Sequence, residues 1–513
     1  MQRVCYLIFL LLPFCTHAQS PVISFSEPFP EYAGVKIQPI LCDNGNTVLI
    51  RNTPNSSSIV DVFNPSGKKI ATNSVNRPNG SPIQGNLIGF VHHGNEATMF
   101  FSWDHMRTPY LFRAVISADD GKVKRFDTLF ILEPYERTAG YQMAFGSIDS
   151  KEFFIRADNQ TGCYAVIAYD GFASETNMRI EYAHYNAQHV ELGHGFLTQN
   201  DDHFKYLKYL DAEVDADKHM YILSYGYNTR SSGGKESSLM FSSFENGKLS
   251  TYEMNNDDDF SEAKAYLKLN KKHKSLDFLF LAKDKKHSRG STKRYSAGMI
   301  SIQPDNGQVL YATGIDLSCI ETYRSANYPG SKDFVAMIDN IYINDDGSVS
   351  LLLEEQATTT QTVGTVSSSY ATLGDIGIIN LDAAGATTNC YSFRKSHDHV
   401  NAKNTVDESF FGYCYVPAQN GSYLLYNDNS ENFEKDKDPV SLTRTTQSQT
   451  ALHILKGSTP EKQYLFGAPE DKSNHKFAFV KRSDYNRSVN KYVVMMIKEK
   501  NGAKETQLAW ITL

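Results

Sequence analysis

The stretch FVAMIDNIYINDDGSVSLLLEE, residues 334–355, followed by GDIGIINLDAAGATTNCYSFR, residues 374–394, decides the fold. Each half holds two runs rich in β-branched and aromatic residues, broken by a short turn, DDG at 345–347 and AAG at 383–385. Such pairs are β-hairpins: glycine supplies the positive φ of a tight turn, while Val, Ile and Tyr suit a pleated, half-buried surface. Two hairpins in succession make a four-stranded antiparallel module, with strands a, b, c and d.

The module recurs in both directions. In the first, VKIQPILC, TVLIRN, SIVDVFN and KIATNSV follow one another from residue 35 to 75. Turns between c and d are read at Gly67, Gly121, Gly171, Gly247, Gly307, Gly385, Gly457 and Gly502, roughly 45 to 78 residues apart. A degenerate four-strand repeat of this length is the signature of propeller blades. After the seventh module only KFAFVKRS, KYVVMMIKEK and KETQLAWITL remain, and PVISFSE at 21–27 stands spare before the first. Together they complete an eighth blade. The chain is therefore predicted to be an all-β propeller of eight four-stranded antiparallel blades, closed by an N-terminal strand that removes the open edge. Seven blades result if the seventh or eighth module fails to form. Two stacked β-sandwiches would also give many short strands, but would not explain the repeat or the leftover strand.

Composition agrees. Of 513 residues 41% are hydrophobic and 21% charged, with a mean hydropathy of -0.42, which excludes a disordered chain and a polytopic membrane protein. Fifty-one basic against 58 acidic residues give a net charge of -7 and no basic stripe to follow a phosphate backbone, so nucleic acid is not an expected partner. Residues 1–18 carry Arg3, an apolar run from Val4 to Phe14 and the small-residue end Thr16-His17-Ala18. This is a signal peptide cut after Ala18, leaving 19–513 as one exported propeller, periplasmic or extracellular and monomeric, with no transmembrane segment. Cys15 does not mark a lipoprotein, because bulky Phe14 precedes it. Five cysteines follow, Cys42, Cys163, Cys319, Cys390 and Cys414, too few for a disulfide scaffold. They are expected to be buried free thiols.

The module at 334–385, the segment YLLYNDNSEN and the C-terminal SDYNRSVNKYVVMMIKEKNGAKETQLAWITL resemble uncharacterised secreted proteins of Bacteroidota. The resemblance covers most of the second half and implies export and a repetitive β fold. It brings no catalytic residues.

Candidate metal ligands are His184, His189 and His194, which with His203, Glu191, Asp201 and Asp202 fill one polar segment, and Asp428 and Glu431 in NDNSENFEKDKD. Imidazoles with a carboxylate suit Zn²⁺, and clustered oxygens suit Ca²⁺, yet neither segment has an established ligand spacing and no cofactor is evident. Asp211, Glu213, Asp215 and Asp217 alternate, so a strand places them on one face, where basic side chains or a cation must neutralise them. No GxSxG elbow, phosphate loop or sialidase-type box is present.

Because strands alternate in direction, b–c and d–a connections leave one face of the ring and a–b and c–d turns the other. The b–c segments RNTPNSS, DHMRTP and ADNQTG are short, while GYNTRSSGGKES, KDKKHSRGSTKRY, EQATTTQTVGTVSSSYATL and NDNSENFEKDKDPVSLTRTTQS in modules four to seven are long. The segment from His184 to His203 is read as a d–a connection on the same face. This face is the expected binding surface, with Tyr295, Tyr323, Tyr328 and Tyr370 and the basic Lys285, Lys286, Arg289, Lys293 and Arg294 as candidate contacts. The function expected is a non-catalytic binding or scaffolding module for a protein or glycan. The alternative is a carbohydrate-active hydrolase or lyase with its site at the central opening.

Overall fold

A computed structural model of the chain describes residues 21–513 except 31–34, 53–57, 84, 138, 141–149, 200–202, 230–235, 255–258, 284–294, 332, 364–365, 399–409, 420, 434–438, 444, 457–458, 469–473 and 502. Eight antiparallel blades form a ring. Blade one comprises Lys36–Leu41, Thr47–Asn52, Ser58–Phe63 and Lys69–Val75; blade two Asn86–His93, Glu96–His105, Thr108–Ser117 and Val123–Ile131; blade three Lys151–Asp158, Cys163–Asp170, Ile180–Tyr185 and Glu191–Phe196. Blade four is Tyr206–Asp215, His219–Tyr227, Ser237–Glu245 and Lys248–Met254; blade five is Asp259–Asn270, Ser275–Lys283, Tyr295–Ile302 and Val309–Gly314. Blade six is Met337–Ile343, Val349–Val363, Val366–Leu381 and Thr387–Phe393, with the short His397–Asp398 added to its third strand. Blade seven is Tyr413–Ala418, Gly421–Asn429, Ser448–Leu455 and Glu461–Tyr464. Blade eight takes Asn474–Asn486, Lys491–Lys500 and Ala503–Thr512 from the C-terminus and Val22–Phe25 from the N-terminus as its outermost strand. The ring thus closes as the spare strand predicted.

Strands a of neighbouring blades contact one another and surround the axis. The apolar side chains gather into eight clusters, each shared by two adjacent blades. Middle strands are therefore covered on both faces and read as continuous apolar runs: every residue of Cys163–Asp170 is buried. The cluster between blades eight and one holds Trp510, whose Nε1 donates to Thr47 Oγ1 at 2.8 Å.

Blade three corrects the reading of the repeat. Gly171 lies between strands b and c, and ADNQTG is the a–b hairpin, not a b–c connection. The c–d turn is Asn186–Val190, where His189 adopts φ 63°, and it repeats the bonding of the glycine turn at Asn64–Lys68. In both, the Asn Oδ1 accepts from the backbone amides two and four residues on. A left-handed histidine takes the place of glycine, so a search for glycine passes over it. His184 consequently sits in strand c, His189 in the c–d turn and His194 in strand d, not in a d–a connection. Gly457 and Gly502 lie outside the described residues, and position 502 joins strands b and c of blade eight, not c and d.

Two further expectations change. Cys319 and Cys390 form a disulfide, whereas Cys42, Cys163 and Cys414 are free. The long Ser/Thr-rich b–c segment of blade six is a continued hairpin, paired from Gln356↔Leu373 to Val363↔Val366. Its Thr and Val residues favour an extended backbone, and the ladder supplies hydrogen bonds that a loop would leave to water.

Candidate ligand-binding site

The alternating carboxylates of blade four lie on strand a and meet basic side chains from both neighbouring blades. Arg156 donates to Asp211 at 2.6 Å, Lys268 reaches Glu213 at 3.1 Å, and Lys271 bridges Asp158 at 2.9 Å and Asp215 at 3.2 Å. Asp217 is exposed in the following turn. Of the two partners left open, a cation or basic side chains, lysine and arginine do the neutralising. Between the first strands of blades six and seven Tyr413 Oη donates to Asp339 at 2.6 Å. The ionisable groups named here on strands a are joined to one another.

On the face of the b–c and d–a connections, helix α1, Ser318–Asn327, bridges blades five and six. Asp316 Oδ1 accepts from Ser318 N at 2.8 Å at its start. The Cys319–Cys390 disulfide ties the helix to strand d of blade six, and buried Arg324 binds Asp375 at 2.5 Å. These anchors fix Tyr328 at the helix end. Its hydroxyl donates to Ser392 O at 3.2 Å, and burial raises its pKa to about 12. The Arg394 guanidinium lies 5.5 Å from the Tyr328 ring centroid and 3.5 Å from Asp375.

Tyr328, Phe393 and Arg394 form one wall of a cleft of about 140 Å³ between blades six and seven. On the other wall Asp428 Oδ2 accepts from Lys462 at 3.0 Å and Oδ1 from Asn432 at 2.7 Å. Lys462 Nζ also lies 4.3 Å from the centroid of Phe433, whose ring stacks on Tyr464. At the base, Tyr426 Oη and His453 Nε2 are 3.1 Å apart. The cleft thus offers aromatic faces and polar atoms whose charges are already paired.

The structure therefore unites two of the sequence candidates, Tyr328 and Asp428. Tyr323 packs beside Tyr328 and Tyr391 on α1. Lys285, Lys286, Arg289, Lys293 and Arg294 lie outside the described residues; Tyr295 and Tyr370 are placed only by their strands, Tyr370 opposite Thr359. Arg394, Phe433, His453 and Lys462 were missed by the sequence reading, since none lies in a recognisable motif. Phe433 lies inside the acidic segment that drew attention for its oxygens alone, and Lys462 lies on strand d of blade seven.

The candidate metal ligands take separate partners. His184 Nε2 is 3.0 Å from Ala216 O, His194 Nε2 is 2.8 Å from Glu181, and the N–H of Glu431 donates to Asn429 Oδ1. His189 Nδ1 is 3.2 Å from Tyr164 Oη. Among the described residues no three His, Cys, Asp or Glu side chains come together as a metal site. Asp201, Asp202, Asp436 and Asp438 lie outside the described residues.

Two buried histidines set a pH dependence. Burial holds His453 well below its ordinary 6.5, and burial followed by the nearby Arg113 pushes His189 down to about 4. Both stay neutral in the folded chain while the unfolded chain takes up protons below 6.5, so stability falls as pH drops through that value. The urea midpoint is expected to fall between about pH 7.5 and about pH 5, with a smaller fall in His453→Gln. An unchanged pH profile in that variant would remove His453 as a contributor.

The ring and its inter-blade cleft define a β-propeller with a small, mixed polar and aromatic pocket on its connection face. No family model matches the chain, and no curated protein matches it in sequence. Its fold is similar to that of the polysaccharide lyase Uly1, at 10% identity and a TM-score of 0.39 over 86% of this chain and 92% of that one. It is also similar to prolyl oligopeptidase B from Galerina marginata, at 13% identity and a TM-score of 0.40 over 90% of this chain and 55% of that one. A protein of unknown function from Bacteroides caccae is similar at 12% identity and a TM-score of 0.29 over 65% and 82%. These are likenesses of fold alone.

Proposed function

We propose that this protein is an exported, non-catalytic binding module that takes a glycan ring in the cleft between blades six and seven. The observation that carries the reading is the pairing inside that cleft. Asp428 with Lys462, Arg394 with Asp375 and His453 with Tyr426 leave polar atoms to hydrogen-bond a ligand but, among the described residues, no free acid–base couple to attack it. Aromatic faces with a few fixed polar groups suit a ring bearing hydroxyls. The charge pairs on strands a support the same reading for the axis. Export rests on residues 1–18, outside the described residues, and a disulfide fits an oxidising compartment. No helix among the described residues is long and apolar enough to cross a membrane.

Calorimetry with a panel of oligosaccharides tests the proposal, using secreted protein whose N-terminus is expected at Gln19. Saturable binding should weaken roughly tenfold or more in Tyr328→Ala and Phe433→Ala, as for other buried aromatic contacts. Turnover of chromogenic glycosides or release of unsaturated sugars would overturn the non-catalytic reading. Binding that neither substitution changes would move the site elsewhere.

A further inference from the structure

We infer that a second, larger groove on the same face, between blades two and three, is a docking site for an extended protein segment that is both cationic and apolar. The groove encloses about 670 Å³ between the d–a connection after Ile131 and the b–c connection of blade three, and is independent of the glycan cleft. Its apolar part is open to solvent: Ile131 is 60% exposed and Met178 49%, with Phe172 half-buried beside them. Side chains of this kind lie on a surface at a cost that a partner relieves.

The charge around them is net negative. Glu133, Glu136 and Glu175 line the groove, are exposed, and make no ion pair among the described residues. The other charges there are engaged. Lys151 is bound to Asp170 at 2.5 Å and to Glu133 O at 2.9 Å, Glu181 to His194 at 2.8 Å, and Arg179 lies 5.3 Å from the Tyr206 ring with its Nε on Ala173 O. Three carboxylates without an ion pair among the described residues, beside exposed Met178 and Ile131, complement lysine or arginine interleaved with apolar side chains. An acidic or purely polar chain would meet repulsion or leave the apolar floor uncovered.

The groove is also held in shape. Tyr135 Oη accepts from Lys151 N at 2.9 Å, Tyr135 N donates to Arg107 O at 2.8 Å, and Lys151 Nζ joins Glu133 O of the d–a connection to Asp170 at the end of blade three's strand b. Both walls are thus tied together before any partner arrives.

Fluorescence anisotropy with a short labelled peptide alternating lysine and leucine tests the inference, beside glutamate–leucine and lysine–serine peptides of equal length. Saturable binding is expected for the lysine–leucine peptide alone, weakening as salt is raised. The triple variant Glu133→Gln, Glu136→Gln, Glu175→Gln should weaken it roughly tenfold, and Met178→Ser with Ile131→Ser by a similar factor. A charge-matched control at exposed positions elsewhere, Glu245→Gln, Glu253→Gln, Asp305→Asn, should leave affinity unchanged. Absence of saturable binding, equal binding of the glutamate–leucine or lysine–serine peptide, or equal weakening by the control would overturn the inference. Concentration-dependent dimerisation lost in the groove variants would assign the surface to a second copy of this chain and also overturn it. Oligosaccharide binding should be unaffected throughout, which separates failure here from failure of the glycan reading.

Discussion

Removal of residues 21–30 is expected to lower the stability of the ring by about 3–6 kcal/mol, a large share of what holds a folded protein together. The N-terminal strand pairs Val22↔Thr512 through Phe25↔Ala509. Beyond it, Ser26 N donates to Leu508 O at 2.9 Å, Ser26 Oγ accepts from Leu508 N at 2.9 Å, and Phe29 N donates to Thr506 O at 2.9 Å. Glu27 N also reaches Gly67 O in blade one at 3.1 Å. The strand's side chains contribute less than its backbone, since Val22 is 72% exposed and Phe25 42%. Substituting Val22→Asp and Phe25→Ser should therefore cost far less than deletion. Deletion also bares the edge Ala503–Thr512, and the truncated protein should aggregate on heating. Equal urea midpoints for truncated and mature protein would show that the strand does not hold the ring shut.

Replacing Lys395 with methionine is expected to destabilise the protein by about 3–5 kcal/mol, because it strands a carboxylate in the interior. Lys395 and Glu354 have side chains 0% and 2% exposed and meet at 2.8 Å. Burial holds the Lys395 amine below its ordinary range, against the opposing field of the Glu354 carboxylate. The double variant Lys395→Met, Glu354→Leu removes both charges and should recover most of the loss. If the single variant unfolds at the wild-type urea midpoint, the pair contributes nothing. Glycan affinity should fall with the single variant too, because the stranded Glu354 carboxylate disturbs the backbone at Lys395, which adjoins Arg394 on the cleft wall.

Blade six shows how much could be read directly. Its apolar runs and its turn glycines, Gly347 at φ 81° and Gly385 at φ 78°, stand where the hairpin chemistry requires them. Blade three shows the limit. His189 occupies the left-handed position, and the remaining signal was Asn186, an Asx side chain three residues earlier. Matching Asn64 and Asp382 to it would have found the turn. The disulfide was equally hidden: Cys319 and Cys390 are 71 residues apart, and only the packing of α1 on blade six brings them together.

The chain by itself determined most of the strands and their turns and the closing strand, and favoured eight blades over seven, because these follow from side-chain periodicity and backbone preference over a few neighbouring residues. It also determined that Asp211, Glu213 and Asp215 share a face. Which cations would meet them was decided only when blades three and five came alongside. The cleft belongs wholly to that second level. Tyr328, Arg394, Asp428 and Lys462 come from separate connections and strands, and they converge because eight apolar interfaces lock neighbouring blades at fixed spacing. No local pattern encodes such a meeting, since each residue is chosen by contacts made across a blade boundary.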